Sequence, residues 1–230
     1  MNTYHISINP FAEYLEATEA RRINILKEQQ DPDPVRIPYY QLAKARIKKS
    51  IALSGSFKPI DDGIKTLQAR KPIKDWQKND RTNSIIVLDK FKKMLLSDLI
   101  KENKLEIISP KQKHINFKGI TINISPNIIF RVTIDGTKYI GACKIHISKG
   151  KPFSHKQSKL VANLIEQYLS NVVAEEDEVV DPVLCFCLDP FAGTTINSNS
   201  QAGYDMKLVK QLCSEIKQSI NPTQIKGNVA

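Results

Sequence analysis

The chain predicts an α/β fold: a mixed sheet with an antiparallel meander flanked by helices, preceded by an N-terminal helical extension. Three observations carry this. Short β-like runs crowd between residues 104 and 147, namely KLEII, HINF, ITINI, NIIFRVTI and KYIGACKIHI. Helical periodicity precedes them over Ser84 to Asn103 and follows them over Phe153 to Val173. A nearly unbroken apolar run, Val183 to Leu188, then fits a strand covered on both faces. Strands followed by alternating helix and strand point to a mixed sheet.

Taken in order, residues 7–30 predict the first helix. Ser7 or Asn9 can cap it, Pro10 suits its first turn, and Phe11, Tyr14, Leu15, Ile23 and Leu26 supply apolar positions. The three prolines of Asp31 to Pro38 break the pattern. A second helix, Tyr39 to Leu53, carries Lys44, Arg46, Lys48 and Lys49, and Ser54-Gly55-Ser56 ends it. Residues 57–82 are polar and weakly patterned, with Pro59, Gly63, Pro72 and the lone Trp76, and read as a linker or loosely packed arm. From Ser84 onward, Ile85, Leu88, Phe91, Leu95 and Leu99 recur at three- and four-residue steps, the mark of an amphipathic helix. Asp135-Gly136, between two apolar runs, signals a tight hairpin. Val161, Leu164, Ile165, Tyr168 and Leu169 form the buried side of the next helix, the acidic AEEDEVVDP reads as a loop, and a last helix runs from about Ala202 to Ser219. The chain thus divides into a helical region 1–56, a linker 57–82, an α/β core 83–222 and a frayed tail 223–230.

The 230 residues are 41% hydrophobic and 25% charged, ordinary for a globular protein. No apolar run approaches the ~20 residues that span a bilayer. The N-terminus lacks the basic start and apolar stretch of a signal peptide. These features predict a cytoplasmic protein without a membrane partner. Cys185 and Cys187 share a strand face, but no second Cys/His pair stands at zinc-ligand spacing, so they read as small buried apolar residues. The net charge of +10 is uneven: +5 over residues 1–83, +9 over 84–157 and −4 over 158–230. A focused positive field attracts polyanions, of which nucleic acid is the commonest. There is no Gly-rich phosphate loop.

Alternation in the last strand of the meander sets Lys138, Ile140, Ala142, Lys144, His146 and Ser148 on one side, and Tyr139, Gly141, Cys143, Ile145 and Ile147 on the other, the expected core face. Arg131 on the preceding strand can join the first side. Arg131, Lys144, His146, Lys149 and Lys151 then form either a phosphate-binding ridge or a solvated sheet face. Arg21-Arg22 and the Lys44/Arg46/Lys48/Lys49 cluster offer a second basic surface. The connection from Gln30 to Tyr39 is too long for a helix-turn-helix.

Over roughly Ser84 to Leu188, the order helix, three-stranded meander, helix, strand resembles the core of the PD-(D/E)XK, or restriction-endonuclease-like, nuclease superfamily. Pro126-Asn127 stands where the family has Pro-Asp, and Ala142-Cys143-Lys144 where it has (D/E)-x-K. The resemblance implies catalytic positions at Lys144 and Asn127, with Mg²⁺ as cofactor if the chain is active. Mg²⁺ wants carboxylate oxygens to hold it; the metal polarises the phosphate and activates the attacking water, while the lysine stabilises developing charge or helps orient that water. Asn127 offers an uncharged oxygen and Ala142 nothing. A carboxylate migrated to Glu102 or Glu166 would restore the site. Otherwise the resemblance implies a degenerate nuclease that binds nucleic acid without a cofactor, as a subunit of a bacterial defence or mobile-element system. A third reading is a protein-interaction module, in which the acidic Glu175 to Asp181 contacts a basic neighbouring copy.

Overall fold

Asp135 and Gly136, at φ 49° and 80°, close a two-residue turn that sets Ile134 opposite Thr137. Both central residues of such a turn need positive φ, which is why Asp-Gly serves here. This is the hairpin the sequence signals. The computed structural model describes residues 4–32, 39–199 and 206–220. In chain order these form β1 (Tyr4–Ser7), α1 (Ile8–Glu16), α2 (Glu19–Gln30), α3 (Gln41–Ala52), α4 (Lys58–Ala69), α5 (Asp75–Phe91), α6 (Asp98–Lys101), β2 (Glu106–Ile108), β3 (His114–Phe117), β4 (Ile120–Asn123), β5 (Ile128–Ile134), β6 (Thr137–Ile145), α7 (His155–Tyr168) with a π-helical turn Leu169–Val173, β7 (Glu178–Asp189), β8 (Thr194–Asn197) and α8 (Met206–Ile220). The fold is α/β with mixed sheets flanked by helices, as predicted. No helix among the described residues is long and apolar enough to cross a membrane.

The main sheet has the order β2-β5-β6-β7-β8. β6 and β7 are parallel and the other pairs antiparallel. A parallel pair needs a crossover, and α7 supplies it. Ser154 starts that helix with a capping box: its hydroxyl accepts from the Gln157 amide, and the Gln157 side chain accepts from the Ser154 amide. Gly141 lets β6 approach β7 closely, because a Cβ there would stand 2.5 Å from Leu184 Cβ and 2.7 Å from its carbonyl oxygen. The β6–β7 register shifts at the same place.

HINF and ITINI leave the meander and build a second sheet, β1-β4-β3, in which β1 runs parallel to β4. Residues 4–7 therefore form a strand before the first helix: Tyr4 and Ile6 point inward and His5 outward. That helix also breaks at Ala17 and Thr18, both extended, with Thr18 capping α2. The segment beyond the Val183–Leu188 run also differs, since β7 begins at Glu178, within the expected acidic loop, and β8 follows it as a further strand.

Both faces of the main sheet are covered. Ile129, Ile140, Ala142, Cys185 and Cys187 face a core shared with α1, α7, α8 and the small sheet. Ile128, Phe130, Val132, Cys143, Ile145 and Phe186 face a second core shared with α3, α4, α5 and α6. The expected linker is thus a packed layer: 57–82 holds α4 and the start of α5, with Ile60 and Leu67 fully buried. Nor does a boundary fall near Asp80, since α5 runs through it. The helix expected over Ser84 to Asn103 ends at Phe91, and Leu95 is 83% exposed. Most of the expected last helix is present in α8, while its start at 202–205 and the tail after 220 lie outside the described residues.

Candidate functional site

Lys144 and Asn127 are brought together at the end of the β5–β6 hairpin far from its turn. Lys144 is largely buried, not exposed on a polar sheet face, because the side it shares with Ala142 is a core side. Its ammonium donates to the carbonyl oxygens of Ile124 at 3.0 Å and Ser125 at 2.7 Å. Burial pulls its pKa down from 10.5 to about 8, assisted by the nearby Lys44, while the thiols of Cys187 and Cys143 push it up. No carboxylate is among the groups that set its charge. The Asn127 amide donates to the Cys143 carbonyl, and its Oδ1 accepts from the Ile145 amide at 2.7 Å. Asn127 is therefore a clasp across the hairpin.

The residues present do not fit a Mg²⁺ site. The Asn127 oxygen is already engaged by a backbone donor, and Ala142 has no donor atom. Glu102 is exposed at the end of α6. Glu166 lies on α7 where its charge acts on Lys159 and Cys185. Neither appears among the partners of Lys144. Among the described residues no three His, Cys, Asp or Glu side chains converge as a metal would need.

The expected phosphate ridge does not assemble. Arg131 is committed to Glu178 and, at 2.6 Å, to Glu175. Glu178 is a desolvated partner, its side chain 1% exposed. Lys138 pairs with Asp177 at 2.6 Å, so three carboxylates of the acidic segment have partners within the chain, while the side chains of Glu175 and Asp177 stay more than half exposed. His146 stacks flat on Phe153 with ring centroids 3.5 Å apart, and its Nε2 meets the Lys151 carbonyl at 3.0 Å. Burial lowers its pKa, opposed by that carbonyl and by Asp189. Lys149 is exposed, and Lys151 is exposed but paired with Glu13 at 3.0 Å.

A cleft of about 720 Å³ opens beside His146, between the segment after β6 and helices α1 and α2. Glu13, Arg21, Glu28 and Lys151 line it, and they satisfy one another: Glu13 pairs with Arg21 at 2.8 Å and with Lys151, and Arg21 with Glu28 at 2.5 Å. These bonds hold the Glu13 carboxyl below the usual range. Phe153, which lines the cleft, is tied to Asp189, fully buried at the end of β7, whose oxygens accept from the amides of Phe153, Phe191 and Ala192. Asp189 pins two loops together. Asp189 is not among the expected site residues; an aspartate closing the apolar run Val183 to Leu188 is the signal that marks it.

Positive charge collects elsewhere. Residues 41–93, the layer of α3, α4 and α5, carry 14 Lys/Arg against 5 Asp/Glu. Lys48, Lys49, Lys65, Lys71, Lys74 and Lys93 are among its exposed cations. The apolar side of each helix is spent on the core that the helices share with one face of the main sheet, so its basic side faces out. Comparison with known protein families and with characterised proteins finds no match to this chain.

Proposed function

We propose that this protein binds nucleic acid, using a nuclease-like core whose former catalytic positions serve the fold. The observation that carries the reading is the basic layer of α3 to α5, where nine net positive charges lie on one side of the main sheet. The connectivity supports it: a helix, the antiparallel strands β2, β5 and β6, the crossover α7 and the parallel β7 follow the order of the PD-(D/E)XK core. With Asn127 and Lys144 engaged by backbone groups, the chain recognises nucleic acid without cutting it. Such a chain suits a subunit of a larger nucleic-acid system, of the defence or mobile-element kind.

The test is fluorescence anisotropy of a labelled oligonucleotide against the purified chain, repeated across salt concentrations. Counterion release predicts tight binding at ~50 mM salt and a steep loss by ~200 mM. Absent binding at low salt, or a flat salt response, overturns the reading. The same samples with Mg²⁺ or Mn²⁺ should show intact oligonucleotide. Cleavage that disappears in Lys144→Ala would replace it with an active nuclease.

A further inference from the structure

Four aromatic side chains run in sequence along the edge of the basic layer. Trp76, in the first turn of α5, meets Tyr39 edge-on with ring centroids 6.4 Å apart. Tyr39 meets Tyr40 at 6.0 Å, and Tyr40 meets Phe191, in the turn after β7, at 5.9 Å. The run reaches solvent: Tyr39 is 38% and Trp76 36% exposed, and Tyr40 and Phe191 remain partly open. The run is held in place. Tyr40 sits in the left-handed region at φ 63°, unusual for a bulky residue, and its amide donates to Asp80 Oδ1 at 2.6 Å. Lys90 fixes the far end, donating to the Phe191 carbonyl at 3.1 Å with its ammonium 5.6 Å from the ring centre. Exposed Lys74, just before α5, and Lys78, paired with Asp75 at 3.0 Å, flank Trp76, and Arg81 donates to the Arg70 carbonyl, which draws the basic end of α4 alongside.

Rings that reach solvent among cations are the parts of a platform for single-stranded nucleic acid. Unpaired bases offer their faces to aromatic side chains, and the cations meet the backbone phosphates. In a duplex those faces are already stacked on one another. We propose that unpaired nucleic acid is held along Trp76, Tyr39, Tyr40 and Phe191, an inference that rests on the nucleic-acid reading above and names the surface and the strand state. An acidic peptide would use the cations but leave the ring faces without a partner.

Trp76 is the chain's only tryptophan, so its emission reports on this surface alone. The full chain is titrated at low salt with an oligothymidine and with a duplex of equal length, reading Trp76 emission together with anisotropy of the labelled strand. Oligothymidine should quench Trp76 and bind more tightly than the duplex. Tyr39→Ala should weaken it about ten-fold, the loss of one base stack, while Tyr39→Phe keeps the affinity. If oligothymidine binds with unchanged emission, and Tyr39→Ala and Phe191→Ala bind like wild type, the aromatic platform is wrong and the nucleic-acid reading survives. Tighter binding of the duplex, or equal quenching by polyglutamate, also overturns the platform. If neither strand form binds, the proposed function falls and the platform with it.

Discussion

Asn127 Oδ1 lies 2.7 Å from the amide nitrogen of Ile145 and accepts its proton. The side chain at the head of β5 thus closes the β5–β6 pair where β6 ends.

Asn127→Ala removes this acceptor and leaves the Ile145 amide unpaired in a buried strand. The expected loss is about 1–3 kcal/mol, the penalty for an orphaned buried donor. Asn127→Asp keeps the oxygen and should lose less. Urea denaturation of the three chains decides the matter: equal midpoints for Ala and wild type would show that the clasp contributes nothing.

Lys144 makes stability depend on pH in a definite direction. Its folded pKa of about 8 lies below the ordinary 10.5, so the unfolded chain holds more protons between those values. Stability then rises with pH across that window and falls back as pH drops through 8. At about 1.4 kcal/mol per pH unit, the displacement corresponds to an order of 3 kcal/mol. Tyrosines and cysteines titrate in the same range, so the readout is the gap between wild type and Lys144→Met. From pH 7 to pH 10.5 that gap should move in favour of wild type. A constant gap would mean that the amine is solvated in the folded chain.

Arg131 distinguishes a structural cation from a binding one. Its guanidinium neutralises Glu178, a carboxylate shielded from water. Arg131→Ala should therefore destabilise the fold by roughly 3 kcal/mol, the effect of stranding a desolvated charge. Oligonucleotide affinity should be unchanged below the melting transition. Weaker binding with an unaltered melting temperature would return Arg131 to a phosphate-contacting role.

Gly141→Ala tests the close approach of β6 to β7. The added methyl meets the Leu184 Cβ and backbone and the Phe130 ring, at 2.5 to 2.9 Å. Overpacking of this kind costs roughly 1–3 kcal/mol, because backbone as well as side chains must shift. Thermal melting should show the loss. Gly136→Ala, with open space around its Cβ but φ of 80°, should lose stability through backbone strain alone.

Local chemistry made several parts of this protein legible in its sequence. Asp135-Gly136 announced a hairpin because few residue pairs tolerate two successive positive φ values. The spacing of Val161, Leu164, Ile165, Tyr168 and Leu169 announced the buried side of α7, and all five are buried. The run Val183 to Leu188 announced a strand covered on both faces, and it lies in β7. What tertiary structure alone decided was which surfaces meet. HINF and ITINI carry the same strand signal whether they join the main sheet or pair with residues 4–7, since β pairing depends on partners far away in the chain. Residues 57–82 look weakly patterned because Ile60 and Leu67 are buried among polar neighbours, and only the neighbouring helices α3 and α5 supply the apolar surface that makes α4 a packed helix. Lys144 alternates with Ala142 and His146 in a pattern that suits an exposed face equally well. The layer of α1, α7 and the small sheet above it turned that face into a core and left the ammonium with the Ile124 and Ser125 carbonyls. Charge follows the same rule: the sequence shows where lysines are, but burial and pairing decide which of them still present a positive field to a polyanion.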